Sequence, residues 1–251
     1  MRILILGGTG LIGRQVSLLL EGQGHQVVAA SPSRGVNSVT GEGLEAALRG
    51  ADVVVDVSNS PTLEDQAAAH FFTRSAANLA AAARKATVKH LVVLSIVGAD
   101  RVSGSGYFAG KVAQELAYRD SGVPYTILRA TQFFELLEVI TAFGVGEDGS
   151  IRVTRAAFQP VAAADVAAEV ARLAEGEPAQ GIVEFAGPER RSLAEFVEAF
   201  LAKRGDSRRV LVDPTVGYFG VPIEENTLVP SGAAGLGHVT LQTWSDSLVS
   251  A

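Results

Sequence analysis

A short apolar run, residues 2–6, breaks into Gly7-Gly8-Thr9-Gly10-Leu11-Ile12-Gly13 and resumes as an apolar stretch through Leu20. Nothing else in the chain restricts its fold as strongly. The run satisfies Gly-x-Gly-x-x-Gly from Gly8 and Gly-x-x-Gly-x-x-Gly from Gly7, at the point where a strand turns into a helix and opens a βαβ unit. Glycine there admits positive φ and leaves no Cβ above the turn. The helix start presents unpaired N–H groups and the positive end of its dipole. A bound dinucleotide pyrophosphate is the expectation, contacted by Gly7, Thr9, Gly10, Leu11, Ile12 and Gly13.

Further short apolar runs recur at residues 26–30, 53–57, 90–94 and 125–128, with stretches of helical composition between them. Parallel strands are buried on both faces and so read as continuous apolar runs. The predicted fold is therefore α/β, a Rossmann-like doubly wound parallel sheet with a small C-terminal substrate lobe. Residues 1–251 read as one domain, about 1–130 forming the cofactor-binding core and about 131–251 a mixed substrate lobe. The Ala-rich residues 62–86 contain no Gly or Pro and suit one long helix. Asp165 or a neighbour is expected to cap a later helix, and Ser192 one that starts at Leu193. Residues 214–237, rich in Gly and Pro, read as loop.

Composition narrows the function classes. Hydrophobic residues are 47% of the chain and charged residues 19%, the balance of a packed globule. The net charge of −6, with no basic block, argues against nucleic acid as a partner. Cysteine is absent, which removes disulfides, thiolate nucleophiles and thiolate metal sites together. The opening apolar run is too short for a signal peptide, and no segment approaches the roughly 18 apolar residues of a membrane span. The expectation is a cytoplasmic monomer or homodimer acting on a small molecule away from membranes. His25, His70, His90 and His238 lack metal-ligand spacing, so no metal site is expected. Phe71-Phe72 and Phe133-Phe134 read chiefly as core packing, and Trp244 as an anchor for the C-terminal segment.

The second run ends at Ala30 and continues Ser31-Pro32-Ser33-Arg34, without the carboxylate that usually binds the ribose 2′-hydroxyl of NAD. Arg34 is placed to pair with a 2′-phosphate and Ser31 and Ser33 to donate hydrogen bonds, so NADP(H) is the expected cofactor, with NAD(H) as the alternative. Ser58 and Asn59, after the third run, are further cofactor neighbours at the carboxyl edge of the sheet, or else polar residues of a turn.

Ser95 lies at the end of the fourth run, and Tyr107-Phe108-Ala109-Gly110-Lys111 opens a helix twelve residues later. The i, i+4 spacing puts Tyr107 and Lys111 on one helix face, where an ammonium lowers a phenol's pKa toward working pH. Tyr107 then reads as the proton donor for carbonyl reduction, with Ser95 orienting the substrate oxygen.

These segments, with Leu-Ser-Ile-Val-Gly-Ala-Asp and the block from Ser121 to Phe134, resemble the atypical short-chain dehydrogenase/reductase superfamily in its NmrA-like, NAD(P)H-binding branch. The resemblance implies Ser95 as substrate binder, Tyr107 as general acid/base and Lys111 as ribose ligand. It also implies that Ala130, Thr131, Gln132 and Phe133 line the nicotinamide and substrate pocket. The expected activity is NADP(H)-dependent reduction of a small carbonyl or quinone. Two other readings stay open: a non-catalytic redox sensor that binds a partner protein, and a sugar-nucleotide epimerase or dehydratase. The latter would call on basic residues such as Arg152, Arg155, Arg190 and Arg191.

Overall fold

The computed structural model describes residues 1–249. The first half alternates strand and helix: β1 (Arg2–Leu6), α1 (Leu11–Gly22), β2 (Gln26–Ala30), α2 (Leu44–Ala47), β3 (Val53–Asp56), α3 (Asp65–Lys85), β4 (His90–Ile96), α4 (Gly106–Arg119) and β5 (Tyr125–Ala130). The second half adds α5 (Leu136–Phe143), β6 (Ile151–Val153), β7 (Ala157–Phe158), α6 (Ala163–Glu175), β8 (Gly181–Ala186), β9 (Arg191–Ser192), α7 (Leu193–Lys203), β10 (Val210–Val212), β11 (Gly235–Leu236) and α8 (Leu241–Val249).

Seven strands form one sheet in the order β11-β8-β5-β4-β3-β1-β2, every neighbouring pair parallel. Period-two alternation divides its side chains. Ile3, Ile5, Val53, Val55, Val92 and Leu128 pack against α1 and α6, whereas Leu4, Leu6, Val54, Leu91, Val93 and Ile127 pack against α3 and α4. Both faces are thereby covered, as the apolar runs require. On α1, Ile12, Val16 and Leu20 recur every fourth residue and are buried. The long helix α3 starts at Asp65, three residues later than composition suggested, because the Glu64 side chain accepts from the amides of Gln66 and Ala67 and caps it there.

The chain beyond residue 130 is not one lobe. Helix α6 covers one face of the central sheet, and β8 and β11 extend that sheet past β5. The lobe proper consists of α5, α7 and α8 with two short ribbons, β6 with β10 and β7 with β9. Its core holds Phe134, Phe158, Phe196 and Trp244, with the Trp244 ring stacked on Phe134 at 5.4 Å. Ser192 caps α7 through a reciprocal capping box with Glu195. Asp165 does not cap α6. It sits in the first turn, and its carboxylate instead accepts the amides of His238 and Val239, each at 2.9 Å. Among the described residues no helix is long and apolar enough to cross a membrane.

Candidate functional site

All seven strands point their carboxyl ends the same way, so the loops after β1, β3, β4 and β5 converge along one edge, where ligands sit in doubly wound folds. The glycine turn is the most constrained of these loops. Gly7 has φ +82°, and a Cβ there would lie 2.8 Å from the amide of Ser58. A Cβ on Gly13 would lie 2.2 Å from the Gly7 carbonyl oxygen, so these two glycines let α1 and the β3 loop close on the turn. Gly10 differs: its nearest neighbour would be the Gly7 oxygen at 3.3 Å, and the residue is exposed. Its missing side chain leaves open space outside the protein rather than inside it.

Helix α1 has no side-chain cap and no acidic residue in its first turn. Its first intrahelical bond runs from the Arg14 amide to the Gly10 carbonyl, leaving the N–H groups of Leu11, Ile12 and Gly13 for an external acceptor. The other side of the edge shows a complementary feature. Gln132 is buried, yet neither atom of its side-chain amide has a hydrogen-bond partner. An orphaned buried amide of this kind costs free energy unless a ligand completes it, and a carboxamide matches it donor to acceptor. Uncapped amides at one end and an orphaned amide at the other fit a nicotinamide dinucleotide.

The remaining expected cofactor neighbours divide. Ser31 is buried, its hydroxyl paired with that of Ser33 at 2.9 Å, and Arg34 is exposed with no ion pair among the described residues. Both the amide and the hydroxyl of Ser58 donate to Asp56 Oδ1, at 3.0 and 2.6 Å, so that hydroxyl serves the turn. Asn59 is exposed and its Oδ1 accepts from the Tyr107 hydroxyl at 2.7 Å. Ala130 and Thr131 are buried, the Thr131 hydroxyl donating to the Gln159 carbonyl at 2.7 Å, and Phe133 is half-buried.

Helix α4 carries a stripe of polar side chains whose arrangement differs from the expectation. Lys111 does share a face with Tyr107, but its ammonium turns inward. It donates to the Leu94 carbonyl at 2.7 Å and to the Gln114 amide oxygen, and lies 4.8 Å from the centre of the Phe72 ring. Burial there pushes the Lys111 ammonium down to about 8, against the opposing pull of Asp56 and Glu115. No lowering of the Tyr107 phenol follows. Burial instead raises it to about 12, with only the Asn59 contact working the other way.

Ser95 is also directed elsewhere. It follows Leu91 and Val93 on the face covered by α3 and α4, and its hydroxyl donates to Glu115 at 2.5 Å. Glu115 stands eight residues beyond Tyr107, about 12 Å along the helix at 1.5 Å per residue. Ser95 and Tyr107 are therefore not brought together.

Behind that stripe lie two buried clusters the sequence reading did not anticipate. Asp56 accepts from Gln114 at 2.7 Å and from the Tyr118 hydroxyl, whose pKa is driven well up by burial and then by the Asp56 charge. Glu115 receives Arg129 through two nitrogens, at 2.9 and 2.7 Å, and Arg129 also reaches Asp100 at 2.9 Å. Burial opposes the Arg129 charge, but the carboxylate partners outweigh it and raise its pKa. An ion pair between a helix residue, Glu115 on α4, and a strand residue, Arg129 on β5, leaves no periodic trace in sequence.

Residues 7–177 match the family described as NAD(P)H-binding. A (4-alkanoyl-5-oxo-2,5-dihydrofuran-3-yl)methyl phosphate reductase of Streptomyces griseus is 35% identical over 144 residues, 52% of this chain and 48% of that protein. The photosystem II assembly factor Ycf39 of Synechocystis is 29% identical over 149 residues, 54% of this chain and 46% of that protein. The chain thus matches about half the length of these curated relatives. Among solved structures, a dTDP-4-dehydrorhamnose reductase from Clostridium acetobutylicum superposes with a TM-score of 0.71 at 16% identity, covering 100% of this chain and 93% of that one. The human epimerase family protein SDR39U1 with NADPH gives 0.69 at 20% identity, covering 88% and 86%. At such identities the structures speak for the fold alone. With the family match spanning the glycine turn, the sheet through β5, and α6, the chain belongs to the NAD(P)H-binding family of the atypical short-chain dehydrogenase/reductase superfamily.

Proposed function

We propose that the protein is a cytoplasmic NADP(H)-dependent oxidoreductase that reduces a small carbonyl or quinone, with Tyr107 as the proton donor. The observation that carries this reading is the Tyr107 hydroxyl, held 2.7 Å from Asn59 Oδ1 at the edge where the glycine turn opens. The residues that would hold the cofactor are the turn from Gly7 to Gly13, Ser31, Ser33 and Arg34 beside the ribose phosphate, Asn59, and Ala130 to Phe133. An unpaired Arg34 with no carboxylate between residues 31 and 35 favours the 2′-phosphate.

When bound, the nicotinamide supplies a hydride to the carbonyl carbon. Tyr107 supplies the proton: an arriving carbonyl oxygen competes with Asn59 for the phenolic hydrogen and takes it as negative charge develops, and solvent then reprotonates the phenolate. Burial raises the phenol to about 12, so it carries its proton at working pH, and transfer depends on negative charge developing on the carbonyl oxygen as hydride arrives. Ser95 and Lys111 enter this reading as positioning residues, Lys111 fixing the end of β4 through the Leu94 carbonyl and Ser95 fixing α4 through Glu115.

The test is NADPH consumption across a panel of quinones, aldehydes and ketones. Tyr107→Phe should lower kcat by about a hundredfold or more while NADPH affinity stays within about twofold. Undiminished turnover in that variant would remove Tyr107 from the reaction. A second reading, dinucleotide binding without turnover, is favoured by the engagement of Ser95 and Lys111 away from the phenol. It requires that no compound in the panel be reduced by the wild type.

A further inference from the structure

Helix α4 carries Tyr107 in its first turn, and the chain leading into that turn is weakly restrained. Ser103 and Gly104 are exposed, Gly104 has φ +81°, and Ser105, at the head of the helix, makes no side-chain cap bond. The restraint comes from α3. Asp65 Oδ1 accepts the Gly106 amide at 2.6 Å. A Cβ on Gly106 would lie 2.2 Å from the Asp65 carbonyl oxygen, so the missing side chain lets the two helix starts meet backbone to backbone.

One turn further on the contact repeats. A Cβ on Gly110 would lie 3.0 Å from both Ala69 Cα and Phe72 Cδ2. The Phe72 ring also meets the Tyr107 ring edge-on at 5.3 Å, so α3 touches that tyrosine on its ring as well as beside its backbone. Helix α3 does not need Asp65 for its own start, because Glu64 accepts the amides of Gln66 and Ala67 there. Asp65 caps the neighbouring helix instead of its own.

The segment from Asn59 to Asp65 completes the grip. Asn59 Oδ1 accepts from the Tyr107 hydroxyl at 2.7 Å and from the Ser60 amide at 3.0 Å. Ser60 Oγ then accepts the Thr62 amide at 3.3 Å and Thr62 Oγ1 the Glu64 amide at 3.1 Å, local bonds that stiffen an exposed turn. One braced segment thus holds residue 106 by its amide and residue 107 by its hydroxyl. Placement of this kind matters for proton transfer, because a displacement of about 1 Å costs a reacting pair about a hundredfold.

We propose that Asp65 is a positioning residue for the proton transfer: by capping α4 from α3 it fixes the first turn of that helix, and with it the phenolic oxygen of Tyr107. This deepens the reductase reading and rests on it for the use to which the phenol is put. Asp65 acts only through the Gly106 amide.

The test compares Asp65→Ala, which removes the acceptor, with Asp65→Asn, which keeps an accepting oxygen. The chain has four tyrosines, so ¹³Cζ-tyrosine labelling of the NADP⁺-loaded protein gives four signals, and Tyr107→Phe identifies the one that belongs to Tyr107. Asp65→Ala should shift that signal and lower kcat across the carbonyl panel about tenfold, less than full displacement because the Asn59 and Phe72 contacts persist, while KM and the Kd for NADPH stay within about twofold. Asp65→Asn should keep both signal and kcat at wild-type values. Gly106→Ala, which forces α4 off the Asp65 carbonyl, should reproduce the Asp65→Ala result, with thermal melting as the check on folding. An unmoved signal and unchanged kcat in Asp65→Ala and Gly106→Ala overturn the inference, as does an equal loss in Asp65→Ala and Asp65→Asn, which would assign the effect to charge. A signal that moves in Asp65→Ala and not in Asp65→Asn, in a protein that reduces no compound of the panel, overturns the reductase reading and leaves the positioning standing. Turnover that needs Tyr107 but not Asp65 does the opposite.

Discussion

Replacing Gly10 with alanine separates what the glycine turn does for the fold from what it does for a ligand. Gly10 has φ −80° and ψ −178°, values open to any L-residue, and the added Cβ would meet only the Gly7 carbonyl oxygen at 3.3 Å, which a shift of a few tenths of an ångström relieves. Alanine is a poorer N-cap than glycine by some tenths of a kcal/mol, but the unfolded chain loses about 0.4–1 kcal/mol of conformational entropy. The two nearly cancel, so stability should stay within about 1 kcal/mol. Binding should not. The Cβ occupies space that a pyrophosphate needs in order to reach the Leu11, Ile12 and Gly13 amides, and a tenfold to hundredfold rise in Kd, about 1.4–2.7 kcal/mol, is expected. Low-salt calorimetric titration with NADPH, paired with a urea melt, measures both. Gly13→Ala is the contrasting variant. Its Cβ falls 2.2 Å from Gly7 O and 2.6 Å from Gly8 Cα, so the fold itself should lose about 3 kcal/mol. An unchanged NADPH affinity in a folded Gly10→Ala protein would refute the reasoning, because it would mean that the phosphates lie elsewhere.

Three further outcomes are expected. Arg34→Ala should raise the Kd for NADPH about tenfold and leave that for NADH unaltered, read in the same calorimeter; equal effects on both would take Arg34 out of the 2′-phosphate site. Lys111 should make stability rise with pH. Its folded value of about 8 lies below the ordinary 10.5, so the unfolded chain binds more protons between those two values. A cost of roughly 3 kcal/mol, fully present below pH 8, should fade as the pH approaches 10.5. Urea melts at pH 7.5 and 10 should therefore show the wild type gaining stability relative to Lys111→Met, and parallel curves would contradict it. Glu115→Ala leaves Arg129 buried with only Asp100, a half-exposed partner, and should cost about 3–5 kcal/mol in a urea melt; a loss below 1 kcal/mol would show that water replaces the carboxylate.

The parts of the fold that were legible are those where one physical cause dominates the residue pattern. Strands β1, β3, β4 and β5 are largely buried on both faces and announce themselves as apolar runs, while β2, at the sheet's edge, shows the same signal though it is only half-buried. The glycine turn is visible because Gly7 and Gly13 meet backbone at distances that admit no side chain. Strand β8 gave no such signal: it begins at a glycine beside Gln180, whose φ is +51°, its first four residues are half-buried or exposed, and only Phe185 and Ala186 are buried. The two-residue β11 is too short to carry any pattern. In the site, the four-residue spacing placed Tyr107 and Lys111 on one face of α4 but could not say which way along that face a flexible ammonium would turn. The Leu94 carbonyl, Gln114 and the Phe72 ring decide that, and none is near it in sequence except Gln114.

The Asp165 carboxylate, which holds the amides of His238 and Val239, has a mechanical corollary. The Gly237 amide also donates to Ala186 at the end of β8, and a few residues later Trp244 stacks on Phe134, just beyond β5. The segment leading into α8 is therefore tied both to the first turn of α6 and to the end of β8, which anchors the last helix of the lobe on the central sheet.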